Sequence, residues 1–253
     1  MYNRTYFINK DIKCIFGDKI VEYDLREAGF SCIKRYKLLP DSVIEKLNKL
    51  SKSGRHIAIG KMEIENKELA KNIKECICTA RKNLFEFNNI SENKVLSIKN
   101  DAVYIIGDTL TNLIFDGLEF RNKREYFAYL YLNKNEFYIC DDIVDVKGIK
   151  DVLTIQHQDY MLDLMREFSN RMIYSDRNQQ LEFIKDVAYM YRNYELDTRY
   201  YRELNVSSLF RPKLDINILS TELGYEFYNG DPRELDITYN YMNYLIPLYR
   251  LLI

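Results

Sequence analysis

Tryptophan is absent, proline occurs 4 times, glycine 9 times and histidine twice in 253 residues. So few glycines and prolines leave few places for tight turns, and long regular elements are expected. The two histidines, His56 and His157, leave little room for imidazole chemistry. Neither stands beside a nucleophile signature, so a Ser-His-Asp or Cys-His site is not expected. The five cysteines, Cys14, Cys32, Cys76, Cys78 and Cys140, are an odd number. Cys76 and Cys78 have one residue between them where zinc sites use two or more, so structural zinc is not expected either. The thiols are expected to be free and buried, in a reducing cytoplasm.

An excess of one charge is also missing. Lys and Arg number 37 against 38 Asp and Glu, for a net charge of −1. That excludes a protein that holds nucleic acid by bulk charge, though not one with a local basic patch. No apolar run reaches the roughly 18 residues of a membrane helix. The longest candidate, 244–253, is broken by Pro247 and Arg250. Residues 1–10 carry no apolar signal-peptide core. A cytoplasmic protein with no membrane association is expected.

What is present is a hydrophobic fraction of 47%, enough to build a core, and 22 tyrosines. Alternation over Lys19–Asp24 predicts a strand, with Phe16-Gly17-Asp18 as a turn before it. A short helix is expected within 25–38. A second, opened by Pro40-Asp41-Ser42, is expected to end at Ser51–Gly54. Residues 56–64 alternate like a strand, and Glu65–Asn88 is the clearest long helix. Val95–Lys99 and Ala102–Ile106 read as a hairpin with Asn100-Asp101 at its tip. Strands follow at 113–115, 125–132 and 136–140, then helices near 158–174, 179–195 and 233–253. The expected fold is α+β: an antiparallel sheet with helices on one face over about 1–150, then a mostly helical region over about 151–253.

A strand ending in Asp24, a long helix, and a hairpin tipped by Asp101 can bring two carboxylates together. Converging carboxylates suit Mg²⁺, a hard cation that takes oxygen ligands, and such ions assist phosphoryl transfer. Each Asp also has a plainer use, Asp24 as a cap and Asp101 as an ordinary turn residue.

The segment Tyr23-Asp24-Leu25-Arg26-Glu27-Ala28-Gly29-Phe30-Ser31-Cys32-Ile33 resembles the first palm motif of family B DNA polymerases, with Asp24, Ser31 and Ile33 matching. Ile98-Lys99-Asn100-Asp101-Ala102-Val103-Tyr104 is similar to the third motif, with Asp101 on its metal-binding carboxylate. Leu132-Asn133-Lys134-Asn135-Glu136-Phe137-Tyr138 and Asp145–Ile149 resemble the segments leading into that family's thumb. The resemblance spans about 20–175. It implies a palm and thumb, Mg²⁺ held by Asp24 and Asp101, and nucleotide transfer to a primer 3′ hydroxyl. Ser31 would support the phosphate end, and Lys134 would be a further substrate contact. Gly29 stands where the family has the Tyr that floors the sugar pocket, Phe30 replaces Pro, and Lys99 replaces the other carboxylate. The middle motif has no counterpart, and Lys71, Lys74 or Arg81 of the long helix would stand in for its Lys by position.

A phage or similar mobile element of an AT-rich host is the expected source, and the host cytoplasm the expected location. The alternative is an inactive palm-like, or unrelated α+β, accessory protein. It would bind a protein partner through the tyrosine-rich helical C-terminal region, where Tyr189, Tyr191, Tyr194, Tyr200 and Tyr201 mix with Arg192, Arg199 and Arg202. Primer–template nucleic acid is the partner under the first reading.

Overall fold

The computed structural model describes residues 3–132, 135–141, 143–147 and 158–192, together with 195, 248 and 251. The expected α+β class with an antiparallel sheet is observed. The strands are β1 (Tyr6–Ile8), β2 (Cys14–Leu25), β3 (Val95–Lys99), β4 (Ala102–Ile106), β5 (Ile114–Phe115), β6 (Leu118–Leu132), β7 (Asn135–Ile139) and β8 (Val144–Lys147). The helices are α1 (Ala28–Tyr36), α2 (Asp41–Asn48), α3 (Lys52–Glu65), α4 (Lys67–Phe87), α5 (Gln158–Tyr174) and α6 (Arg177–Arg192). Among the described residues no helix is long and apolar enough to cross a membrane.

The chain forms two compact units, one of Met1–Asp11 with Asp18–Glu125, the other of Ile12–Gly17 with Tyr126–Ile253. The boundary expected near residue 150 falls outside the described residues. In the first unit the strand order is β1-β3-β4-β2-β6, with β5 paired to β6. Side chains alternate between faces along a strand. Val21, Tyr23 and Leu25 of β2 therefore share one face with Val103 and Ile105 of β4, and that face is buried in one core with α1, α3 and α4. The β3–β4 hairpin closes as expected through Asn100-Asp101. Asn100 has φ 55°, a left-handed conformation that Asn tolerates better than most residues.

The long helix also forms. The Asn66 side chain accepts hydrogen bonds from the backbone N–H of Glu68 and Leu69, and Leu69, Ile73, Cys76, Ile77, Ala80 and Leu84 make its buried stripe. Two expectations are corrected nearby. Residues 56–64 are helix, not strand, because Ser51 accepts a hydrogen bond from the Gly54 N–H and starts α3 where a helix was expected to end. Phe16-Gly17-Asp18 is not a turn: β2 runs through it, and Gly17 absorbs the irregularity at φ +82°. The expectation of five free thiols also fails for two of them. Cys32 of α1 and Cys76 of α4 form a disulfide, with Cα atoms 6.0 Å apart, while Cys14, Cys78 and Cys140 are free and only partly buried.

In the second unit β6 pairs with β7 and β7 with β8, both antiparallel. Tyr126, Tyr129 and Tyr138 are buried, with ring centroids 5.3 and 5.0 Å apart along the row. These tyrosines are core residues. Phe16 meets Phe168 of α5 edge to face, with centroids 6.0 Å apart. Apart from Leu248 and Leu251, the helix expected at 233–253 lies outside the described residues, as do Tyr194, Arg199, Tyr200, Tyr201 and Arg202.

Candidate functional site

The end of β2 and the tip of the β3–β4 hairpin are stapled together. Asp24 pairs with Ala102 in the β2–β4 ladder, and the Leu25 N–H donates to the Asp101 carbonyl at 3.1 Å. Asp24 and Asp101 both border a cavity of about 470 Å³. That is within the size range of small-ligand sites. Gly29 and Phe30 of α1, Ile73 and Ile77 of α4, and Arg121 of β6 also line it. Its remaining wall is α3, whose Lys52, Arg55, His56, Ile59 and Glu63 recur at three- and four-residue steps and so share one helix face. A Cβ at Gly29 would lie 3.3 Å from Ile59, so α1 and α3 are already in close contact there.

Most of the charge in this cavity is internally paired. The Arg121 guanidinium donates to Oδ2 of Asp24 from Nη2 at 2.8 Å and from Nε at 3.2 Å. This pair is one rung of a ladder of ion pairs along the neighbouring β2 and β6: Glu22–Lys123 at 2.7 Å, Asp24–Arg121, and, one residue past the end of β2, Arg26–Glu119 at 2.8 Å, each two residues from the last. Arg55 donates through Nε and Nη2 to the two carboxylate oxygens of Glu27, both at 3.0 Å, and through Nη1 to the Leu50 carbonyl at 2.7 Å. Its guanidinium carbon also sits 5.0 Å from the centre of the Phe30 ring. Glu27 is held at φ 45°, ψ 50°, a strained left-handed conformation for a side chain of its size.

Asp101 is different. Burial pushes its carboxyl above the usual aspartate range, and the negative charge of Asp24 pushes it further; Lys123 and His56 act in the opposite sense. Burial likewise raises Glu63, again opposed by His56. A carboxyl whose folded pKa lies above its unfolded value binds its proton more tightly in the folded state. Folding is then favoured as pH falls through the raised value, and that advantage is lost as pH rises through it. Asp101→Asn, which cannot ionise, is therefore expected to unfold at higher urea concentration than the parent at pH 7. The difference should shrink as the pH is lowered through the raised Asp101 pKa. An unchanged midpoint at pH 7 would mean that the Asp101 carboxylate is well solvated.

Of the site residues inferred from the sequence, Asp24 and Asp101 both border this cavity, and Ser31, Lys71, Lys74 and Arg81 do not. Ser31 lies in α1 with its hydroxyl donating to the Arg26 carbonyl at 2.7 Å, a local helix contact. Lys71 and Lys74 are on the exposed side of α4, Lys71 beside Glu75 at 3.8 Å, and neither lines the cavity. Arg81 is 1% exposed, donates to the Arg4 carbonyl, and does not line the cavity. Lys134 is outside the described residues. Lys99, which replaces a motif carboxylate, places its ammonium 4.1 Å from the Tyr6 ring centre. Arg121, Arg55 and Glu63 border the site without having been singled out, and so does His56, which the sequence set aside as a catalytic group. The α3 residues were hidden by the alternation of 56–64, and Arg121 only gains meaning once β6 is aligned with β2.

Among the described residues there is no group of three or more His, Cys, Asp or Glu side chains suited to a metal ion. Of the two Asp carboxylates expected to hold Mg²⁺, that of Asp24 already accepts both of its hydrogen bonds from Arg121. The model of one family, described as the bacteriophage PBS1 gene 130 protein, matches residues 1–248. No curated protein matches the chain.

Proposed function

We propose a polymerase-like palm function for this chain, which belongs to the bacteriophage PBS1 gene 130 protein family. Membership makes it a phage protein; the palm reading rests on the motif resemblance and on where the two aspartates lie. What supports it is that Asp24, at the end of β2, and Asp101, at the tip of the β3–β4 hairpin, border one cavity. The segments that carry them are separated by the helices α1 to α4, the order that the motif resemblance implies. Asp24 and Asp101 would hold Mg²⁺. When bound, the ion supplies charge neutralisation for nucleotidyl transfer to a primer 3′ hydroxyl. The chain's own part is to fix the two carboxylates through the Leu25–Asp101 backbone bond and to keep the pocket between α1, α3 and the hairpin open. The host-cell cytoplasm is the proposed setting, with primer–template nucleic acid as partner.

The test is a melt of the full chain with Mg²⁺ or Mn²⁺ and dNTP, followed by primer extension. A ligand present at ten times its Kd stabilises the folded state by about 1.4 kcal/mol. Primer–template binding should weaken as salt rises. Asp24→Ala is expected to remove both the metal-dependent shift and extension. A parent protein that neither shifts at millimolar metal and dNTP nor extends a primer would end the enzyme reading.

One observation favours the other reading, a catalytically silent palm or an unrelated α+β accessory protein. Arg121 already neutralises Asp24 as a regular rung of the strand ladder. Under that reading metal and dNTP leave the melt unchanged, and the function lies in binding a phage or host protein.

A further inference from the structure

Among the described glycines, Gly60 alone has no reason within the fold to be glycine. Gly17, Gly107 and Gly117 have φ of 82°, 124° and 74°, where a side chain is strained. A Cβ at Gly29 or Gly54 would lie 3.3 Å from a neighbouring side chain. Gly60 is inside α3, and a Cβ there would meet nothing within 4 Å. Glycine in a helix interior is less stable than alanine, so this position lowers stability and gives packing nothing in return. The space it leaves open belongs to the cavity, which Gly60 lines. Three residues on, Glu63 lines the same cavity. It is half-buried, with no hydrogen bond or ion pair among the described residues. Burial holds its carboxyl above the usual glutamate range, opposed by His56. The cations nearby are engaged or distant. Arg55 and Arg121 are tied to Glu27 and Asp24. Lys52 opens α3, about 16 Å along the helix axis from Glu63.

We propose that this end of the cavity binds a small planar organic cation, an amidine, guanidine or protonated heterocyclic base, that lies against α3 at Gly60 and places its charge on Glu63. Without a Cβ at Gly60, a flat group can rest directly on the helix backbone. Ile59, Ile73 and Ile77 line the same cavity and supply apolar surface for the body of such a molecule. Its coplanar N–H donors suit the fork of a carboxylate. The pairing also offsets the burial that disfavours the Glu63 charge. The site stands apart from the palm reading, since neither Gly60 nor Glu63 belongs to a motif segment.

The probes are benzamidine and its neutral isostere benzamide, each titrated into the full chain. Calorimetry gives the affinity, and NMR follows the Gly60 amide, identified by its loss in Gly60→Ala. Benzamidine should shift that amide and bind about fivefold or more tighter than benzamide. Glu63→Gln should bring benzamidine down to the level of benzamide and leave benzamide unchanged. Gly60→Leu, which fills the space, should remove binding of both. Gly60→Ala should melt roughly 2–4 °C above the parent, because the fold has no use for glycine there. If Gly60→Leu does not fold, Gly60→Ala and Glu63→Gln carry the test. Equal affinity for the two probes, or no binding of either at millimolar concentration, would overturn the proposal. So would a melt of Gly60→Ala below the parent, which would make the glycine a packing requirement. Benzamidine binding that falls in Asp101→Asn but not in Glu63→Gln would put the cation at the hairpin and overturn the Glu63 site. None of these results decides whether the chain extends a primer, so the palm reading is tested separately.

Discussion

Reduction of the Cys32–Cys76 disulfide is expected to lower the thermal midpoint of the chain by roughly 10–15 °C, about 4 kcal/mol on chain-entropy grounds. The two cysteines are 44 residues apart in sequence, so the bond closes a long loop in the unfolded state. It also joins two helices that hold the cavity. Phe30 and Ile33 of α1, and Ile73 and Ile77 of α4, lie in the same core as the two cysteines. Phe30, Ile73 and Ile77 line the cavity as well, so loosening the bond should be felt there. The measurement is a circular-dichroism melt with and without a phosphine reductant. The parent should lose stability on reduction, whereas Cys32→Ala with Cys76→Ala should melt near the reduced parent and ignore the reductant. Thiol titration in denaturant should count three reactive cysteines before reduction and five after. Five before reduction, with a reductant-insensitive melt, would mean that the protein works as a dithiol. In a reducing compartment, such as the proposed host cytoplasm, the lower-midpoint form is the one expected.

The hairpin and α4 were legible because their signals are local. Asn100-Asp101 between two runs of β-formers admits one interpretation, and the apolar steps from Leu69 to Leu84 admit one helix face. The stretch 56–64 carries two periods at once. Ile57, Ile59, Met62 and Ile64 do not decide between a strand and a helix, and the helix leaves Ile57 at 61% and Ile64 at 72% exposure while burying Ile59. What settles it is the cap at Ser51, one polar residue that can equally well end the preceding helix. The candidate site divides in the same way. Both carboxylates stood at the ends of recognisable elements. Their cations did not: Arg121 is 97 residues from Asp24, and its partner follows from strand register, which is set by tertiary packing. The Cys32–Cys76 pairing has the same character, since its spacing resembles no local motif.

Arg81→Ala is expected to cost about 3–4 kcal/mol, and Arg81→Met within about 1 kcal/mol of nothing. Arg81 is 1% exposed, among the largest of the fully buried side chains. Alanine would leave a void in the α4 core that its neighbours only partly fill. The charge itself earns little. Nη1 donates to the carbonyl of Arg4, Nη2 lies 3.8 Å from the Cys78 sulfur, and Nε has no partner among the described residues. Burial lowers the Arg81 pKa, opposed mainly by Cys78 and then by Asp101. Methionine keeps much of the volume and removes the desolvation penalty, and the exposed Arg4 can turn its freed carbonyl to water. Urea unfolding at constant m-value separates the two variants. A loss of more than about 2 kcal/mol in Arg81→Met would show that the guanidinium contacts outweigh its burial cost. The same variant examines the role implied by sequence position, a cation for the incoming triphosphate. If Arg81 met a phosphate, Arg81→Met would lose nucleotide binding at full stability. Because the Asp101 charge favours the Arg81 cation, Asp101→Asn and Arg81→Met should be non-additive by about 0.5 kcal/mol or more in a double-mutant cycle. Strict additivity would place the Arg81 charge outside the electrostatics of the cavity.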